Sequence, residues 1–284
     1  AGLRALWTAV LPSPAQVQTA FALDAATQEI IFTAGPLLVV AAAAVSPTAA
    51  LVLTGALGVA GTLVVTSSRP SRSWRGEPRA ADWAGPLRSS GLRVLLVALA
   101  SVGVALGVLS VAVVPYAENH GMEAASGLLL AANAGGALAG GLVYGARPRR
   151  GPAHRRLPLL LAGLAVGYLP LMTAPGLPLM LVLAFLSGVF LAPTLACAFT
   201  LVDELAPRGT VTEAFGWVVA AMGGGAALGS AVAGVAGDLA GVPGAFAGAG
   251  AGGVLALVLC LLGRRLLRPA ERTAVLDPQA STAG

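Results

Sequence analysis

Ionisable side chains are scarce in the apolar part of this 284-residue chain, so the few that sit there are where chemistry is to be sought. The stretch TAFALDAATQEIIFTAGP (19–36) places Asp24, Gln28 and Glu29 at the entrance of a long apolar run. An acid inside lipid is costly and usually serves a proton or ion pathway, whereas one at the edge of lipid is merely solvated. At 1.5 Å per residue Glu29 lies about 7–8 Å deeper than Asp24. Gln28 sits about 40° round the helix from Asp24, and Gln18 about 20° from Glu29, which makes two polar faces. Asp24 therefore reads as a gating or interfacial residue. For Glu29, the deepest acid of the chain, proton carriage and a structural role both stay open.

Asn133 is a neutral polar group in the middle of another apolar run. It suits either substrate contact or hydrogen bonding between helices, and the latter is the commoner use. Gly136/Gly140, Gly141/Gly145 and Gly225/Gly229 form small-xxx-small faces, which read as close helix packing. Pro36 and Pro193 are expected to bend their helices, for gating or for shape.

Other chemistries fail on spacing. Cys197 and Cys260 both lie in apolar runs and read as small core residues, not as a disulfide or metal pair. His120 and His154 are isolated loop histidines, so no metal site is expected. Gly223-Gly224-Gly225 is followed by neither the lysine nor the hydroxyl of a phosphate loop. No cofactor motif is present. Asp203, Glu204, Arg208 and Glu213 read as a solvated charge cluster.

The elements that must hold these residues are membrane spans. Hydrophobic residues make up 57% of the chain and charged residues 10%, against about a quarter charged in a soluble domain. Mean hydropathy is +0.85. Runs of about 20 apolar residues suffice to cross a bilayer as helices, and eight are legible: 17–45, 48–66, 91–115, 123–146, 157–173, 178–202, 212–237 and 243–263. All 17 basic residues are arginines, and all fall on one side of these spans. They precede the first span (Arg4), lie in alternate connections (69–93, 147–156 and Arg208), or follow the eighth (264–272). The other connections hold only Glu118, His120, Glu123 and Asp238 among ionisable groups. The positive-inside rule makes the arginine side, with both ends of the chain, cytoplasmic. The net charge of +5 is thus a matter of topology, and no nucleic-acid partner is expected.

An offset of 194 residues lays the first span on the seventh. Leu11, Val17, Ala20, Phe21, Ala26 and Gly35 fall on Leu205, Val211, Ala214, Phe215, Ala220 and Gly229. At the same offset Gly58 falls on Gly252, and Leu63-Val64 on Leu257-Val258. Such a shift implies a six-helix unit repeated in parallel.

This pattern resembles the C-terminal two thirds of a major facilitator superfamily transporter. The polar stretch SSRPSRSWRGEPRAADWAGPLRSSG (67–91) resembles the linker between that family's two six-helix bundles. The loop GGLVYGARPRRGPAHRR (140–156) resembles the second-half copy of its signature loop. Gly141 and Arg149-Arg150 match, with Arg147 beside them, but Gly145 stands where the family has aspartate. The latch role of that aspartate is therefore not carried over. Gly35-Pro36 matches the core of the antiporter signature, while Ile31, Val39 and Val40 replace its other glycines.

The resemblance implies an all-α membrane protein with a partial two-bundle fold. Residues 1–66 would be the last two helices of the first bundle, 67–91 a cytoplasmic linker, 92–263 the second bundle and 264–284 a cytoplasmic tail. It also implies that four helices, roughly 100 residues on the two-half arithmetic, precede Ala1. The expected function is secondary active transport, an efflux of a small, amphipathic molecule across the plasma membrane by alternating access, driven by protons. Its partners would be the bilayer, the substrate and protons. A non-transporting membrane partner or regulator is the alternative. A membrane-embedded enzyme is less favoured, because no convergent set of nucleophile, base or metal ligands is present.

Overall fold

The computed structural model describes residues 7, 10–73, 84–122, 124–147 and 151–268. Arg4, Arg75, Arg79, Glu123, Arg149, Arg150 and Arg272 lie outside the described residues. The chain is built of helices: α1 (Pro14–Val45), α2 (Pro47–Ser67), α3 (Ser90–Asn119), α4 (Ala124–Ala146), α5 (Ala153–Tyr168), α6 (Leu177–Gly188), α7 (Leu191–Leu205) and α8 (Val211–Leu262). A short turn of helix, Arg69–Ser73, follows α2, and 3-10 turns at Gly85–Arg88 and Leu169–Thr173 lead into α3 and out of α5. Among the described residues there is no strand.

The starts are set by local chemistry. Ser13, Ser46 and Ser89 are N-caps whose hydroxyls accept from Gln16 N (3.3 Å), Thr48 N (3.2 Å) and Leu92 N (3.2 Å). Pro14 and Pro47 follow two of them at the first helical position, where a missing N–H costs nothing. The α1 cap explains why that helix begins at residue 14, three residues before its apolar run.

Six described stretches are long and apolar enough to cross a membrane: Pro47–Ser67, Ser90–Asn119, Ala124–Ala146, Ala153–Thr173, Leu177–Leu205 and Val211–Leu262. Two of them are interrupted. Leu177–Leu205 breaks at Val189-Phe190, where Val189 N donates to Leu186 O, three residues back, at 3.3 Å. Pro193, in the first turn of α7, has no N–H to offer Val189 O. In α8, Gly241 takes φ 66°, ψ −164°, a region open in practice only to glycine. Pro243 follows it and disfavours helix at Val242, so α8 consists of two arms, 211–240 and 242–262.

The exposed surface is apolar where a soluble protein's would be polar. Leu239 is 83% exposed, Leu262 78%, Leu51 76% and Leu159 73%. Apolar side chains so fully presented fit lipid, not water. In lipid, apolar burial no longer drives helices together, and packing rests on close contact between small residues. The fold follows that rule. α3 runs along both arms of α8, α4 crosses α6, α5 packs on α8 and α7, and α1 lies against α4 and α7. By contrast α2 packs against α1 and exposes every residue from 51 to 67.

Candidate functional site

The first turns of α1 dock at one end of the bundle. Phe21, Ala22, Ala25 and Ala26 are buried, a stripe at helical spacing, while Leu23 and Thr27 face outward. Phe21 meets Phe199 of α7 at 6.2 Å between ring centroids and Phe215 of α8 at 6.0 Å. Phe199 and Phe215 are themselves 5.8 Å apart at 71°, the edge-to-face arrangement aromatic pairs favour. All three rings are buried, so three helices are joined by one aromatic cluster. On its other side α1 touches α4 through small residues. A Cβ built on Gly141 would lie 3.0 Å from both Ala26 Cβ and Ala192 Cβ, and one on Gly145 3.5 Å from Ala22 Cβ.

This docked end is the one that carries arginine. The end of α8 reaches the start of α3, where a Cβ on Gly91 would meet Leu266 O at 2.3 Å and a side-chain atom of Leu205 at 3.0 Å. Cys197 Sγ of α7 lies 3.4 Å from Ala153 O at the start of α5. Arg88, Arg93, Arg147, Arg155, Arg156, Arg208, Arg264, Arg265 and Arg268 all belong to these helix ends.

Asp24 and Gln28 are half-buried on the docked part of α1, flanking its buried stripe. The side chains of Glu29, Gly35 and Pro36 lie outside those described, although the α1 backbone stays helical through all three positions. Asn133 is buried in α4 and donates from Nδ2 to Ser187 Oγ at 2.9 Å and to Ala184 O at 3.3 Å. Ser187 Oγ in turn donates to Ala184 O at 2.7 Å. Asn133 is thus tied to α6; among the described side chains it is not brought together with Asp24.

Of the predicted faces, Gly136, Gly140, Gly225 and Gly229 each meet a neighbouring backbone, while Gly141 and Gly145 meet alanine side chains. A Cβ on Gly136 would lie 1.9 Å from Phe185 O, and one on Gly140 1.8 Å from Val189 O. Phe185 O lies in the last turn of α6 and Val189 O in the break that follows, so α4 seats its glycines against the end of α6 and the break. For Gly225 and Gly229 the neighbours are Ala100 O at 2.0 Å and Val104 O at 2.1 Å, on α3. Ser230 Oγ, beside them, donates to Gly107 O at 3.3 Å.

Sequence reasoning left unassigned the aromatic cluster, Ser187 and the Arg156 contact with Tyr144. For the cluster a signal existed: Phe21 and Phe215 are partners at the 194-residue offset. For Ser187, a lone serine in an apolar run, none did. Among the described residues there is no group of His, Cys, Asp and Glu able to hold a metal ion.

Residues 157–281 match the family model described as Major Facilitator Superfamily. No curated protein and no solved structure matches the chain.

Proposed function

From a multi-pass membrane chain whose residues 157–281 match the model of the Major Facilitator Superfamily, a family of membrane transporters, we propose a secondary active transporter that works by alternating access. Its eight spans are the six long apolar stretches, with α8 divided at Gly241, and α1, whose 32 residues reach about 48 Å. α1 and α2 then belong to one bundle and 92–263 to the other, with 67–91 as linker and 264–284 as tail. Both ends of this chain and the arginine end face the cytoplasm of a plasma-membrane protein.

One observation carries the reading: α1, from the first bundle, is closed against α4, α7 and α8 of the second at the arginine end through small residues and the Phe21–Phe199–Phe215 cluster. A contact of small and aromatic surfaces is one that two bundles can make and break. The conformation is then the one closed toward the cytoplasm. That Phe21 and Phe215 occupy equivalent positions of the repeat and touch each other supports a two-fold axis passing near them.

The substrate is a small, amphipathic molecule moved outward, and protons supply the drive. Position 29 lies three and four residues beyond Ala26 and Ala25, the spacing that continues a helix face. Glu29 is the coupling acid in this reading, and Asp24, at the closing contact, gates. Reconstituted Glu29→Gln should lose gradient-driven flux but keep substrate exchange, which needs no net proton movement. Asp24→Asn should change the rate and leave the pH profile in place. Gradient-driven flux by Glu29→Gln with an unchanged pH profile would sink the coupling role.

A further inference from the structure

A cavity of about 400 Å³ opens at the arginine end between α4, α5 and the α6–α7 break. Its described lining comes from α4, α5, α7 and the α6–α7 break, apart from the Phe21 contact of α1. Its walls are apolar, with Val143, Leu160 and Phe190 prominent, and its polar groups are Tyr144, Arg147 and Arg156. Among the described residues no carboxylate lines it.

The state of Arg156 calls for an anion. Its Nη1 donates to Tyr144 Oη at 2.9 Å, and its guanidinium carbon sits 6.0 Å from the Tyr144 ring centroid. Nε and Nη2, the two N–H groups of the side-on edge, are buried with no hydrogen-bond partner. A neutral phenol satisfies one donor of a desolvated cation and neutralises none of its charge, and a buried charge so served is costly. Arg147, exposed at the end of α4, adds a second positive charge at the same mouth and has no partner of its own in the lining.

Beside these cations the cavity turns apolar and outward. Val143 is 51% exposed and Phe190 37%, on a face that the fold presents to lipid. A soluble anion would gain nothing from those walls, whereas an amphiphile fits both parts. We propose that this cavity is a binding site for an anionic phospholipid of the bilayer. The phosphate sits between Arg147 and Arg156, within reach of the Tyr144 hydroxyl. One acyl chain lies along Val143, Leu160 and Phe190. Guanidinium groups grip phosphate oxygens two at a time, and a turn of the last side-chain torsions aims the Nε/Nη2 edge of Arg156 at them. Basic pockets between helices at the cytoplasmic level are suited to such headgroups. The small residues of α4, Gly140 above all, leave the space for the chain by letting α4 sink against Val189 O.

The test is lipid retention, which is independent of whether the chain transports. The purified chain is mixed with equal dioleoyl-phosphatidylglycerol and dioleoyl-phosphatidylcholine and read by native mass spectrometry, with thermal unfolding alongside. The expected result is a several-fold excess of bound phosphatidylglycerol and a higher Tm with it than with phosphatidylcholine. Arg147→Gln, at an exposed site, and Arg156→Gln should bring the ratio close to one. Val143→Trp, which fills the apolar part and leaves both arginines, should lower retention of the lipid. Equal retention of the two lipids would overturn the proposal, as would an excess that survives Arg147→Gln and Val143→Trp. If inorganic phosphate alone raises Tm as much as phosphatidylglycerol does, the site takes a free anion and the lipid assignment fails.

Discussion

Asn133 shows how far a single residue can be read. A carboxamide in an apolar run announces an interhelical partner or a ligand, and the structure supplies partners in Ser187 Oγ and Ala184 O. Removing the amide leaves neither stranded, because Ser187 Oγ donates to Ala184 O by itself. Hydrogen bonds between membrane helices contribute about 0.6 kcal/mol on average and up to about 1.7. Asn133→Ala should therefore destabilise the chain by about 1 kcal/mol, seen as a small drop in Tm, with transport intact. A variant of unchanged Tm and lost flux would assign Asn133 to the substrate instead. The position of Asn133 was legible in the sequence and its partner was not: a serine can satisfy its own hydroxyl within its helix, so its type says nothing about what reaches it. Phe21, Phe199 and Phe215 were hidden for a related reason. An aromatic side chain in an apolar helix suits core and lipid equally, and only the assembled bundle decides.

At the scale of elements, the long apolar stretches were legible because length and apolarity are local properties, while the serine caps that set the starts of three helices went unread. The interruption at Val189-Phe190 was legible through Pro193, which announces a bend, but not in its exact place, since hydropathy runs unbroken from Leu177 to Leu205. Its cause is a proline without an N–H and a partner helix that can exploit the freed carbonyl. The glycine faces were legible as faces but not as to which helix they meet. Their energetic role has a direct test. A Cβ on Gly107 of α3 would come 1.9 Å from Ala226 O of α8, and the backbone there cannot yield without parting the two helices. Gly107→Ala should cost about 1–3 kcal/mol, the range for overpacked interiors. Gly127→Ala, on α4 with nothing within 4 Å, should be neutral or gain up to about 1 kcal/mol from helix propensity. Thermal unfolding of the two variants side by side decides. Equal shifts would mean that α3 and α8 do not hold each other by this contact.

For the whole molecule, the one-sided arginines make the strongest statement about orientation, because charge asymmetry acts on every connection at once. Cysteines at Ser73 and Asn119, introduced where Cys197 and Cys260 stay buried, should label from opposite sides of intact cells. Labelling from the same side would overturn the topology. What the sequence could not convey is which state the proposed bundles occupy, since that depends on contacts between residues about 180–195 positions apart in the chain. On the proposed mechanism the buried Phe21 cluster is the shut form of the arginine end. If alternating access is the mechanism, this contact must open once in each cycle, and tethering it must stop the cycle. A Phe21→Cys/Phe215→Cys pair, bridged by a short thiol cross-linker, should therefore arrest flux, and a cleavable linker should restore it on reduction. Each single variant should transport, because an aromatic contact at a gate tunes the balance of states without supplying the pathway. Substrate on the far side should raise the cross-linking rate if it draws the bundles toward the shut state, and a cytoplasmic-side ligand should lower it. A bridged pair that transports at the unbridged rate would show that α1 and α8 move together, and the closing surface would have to be sought elsewhere on α1.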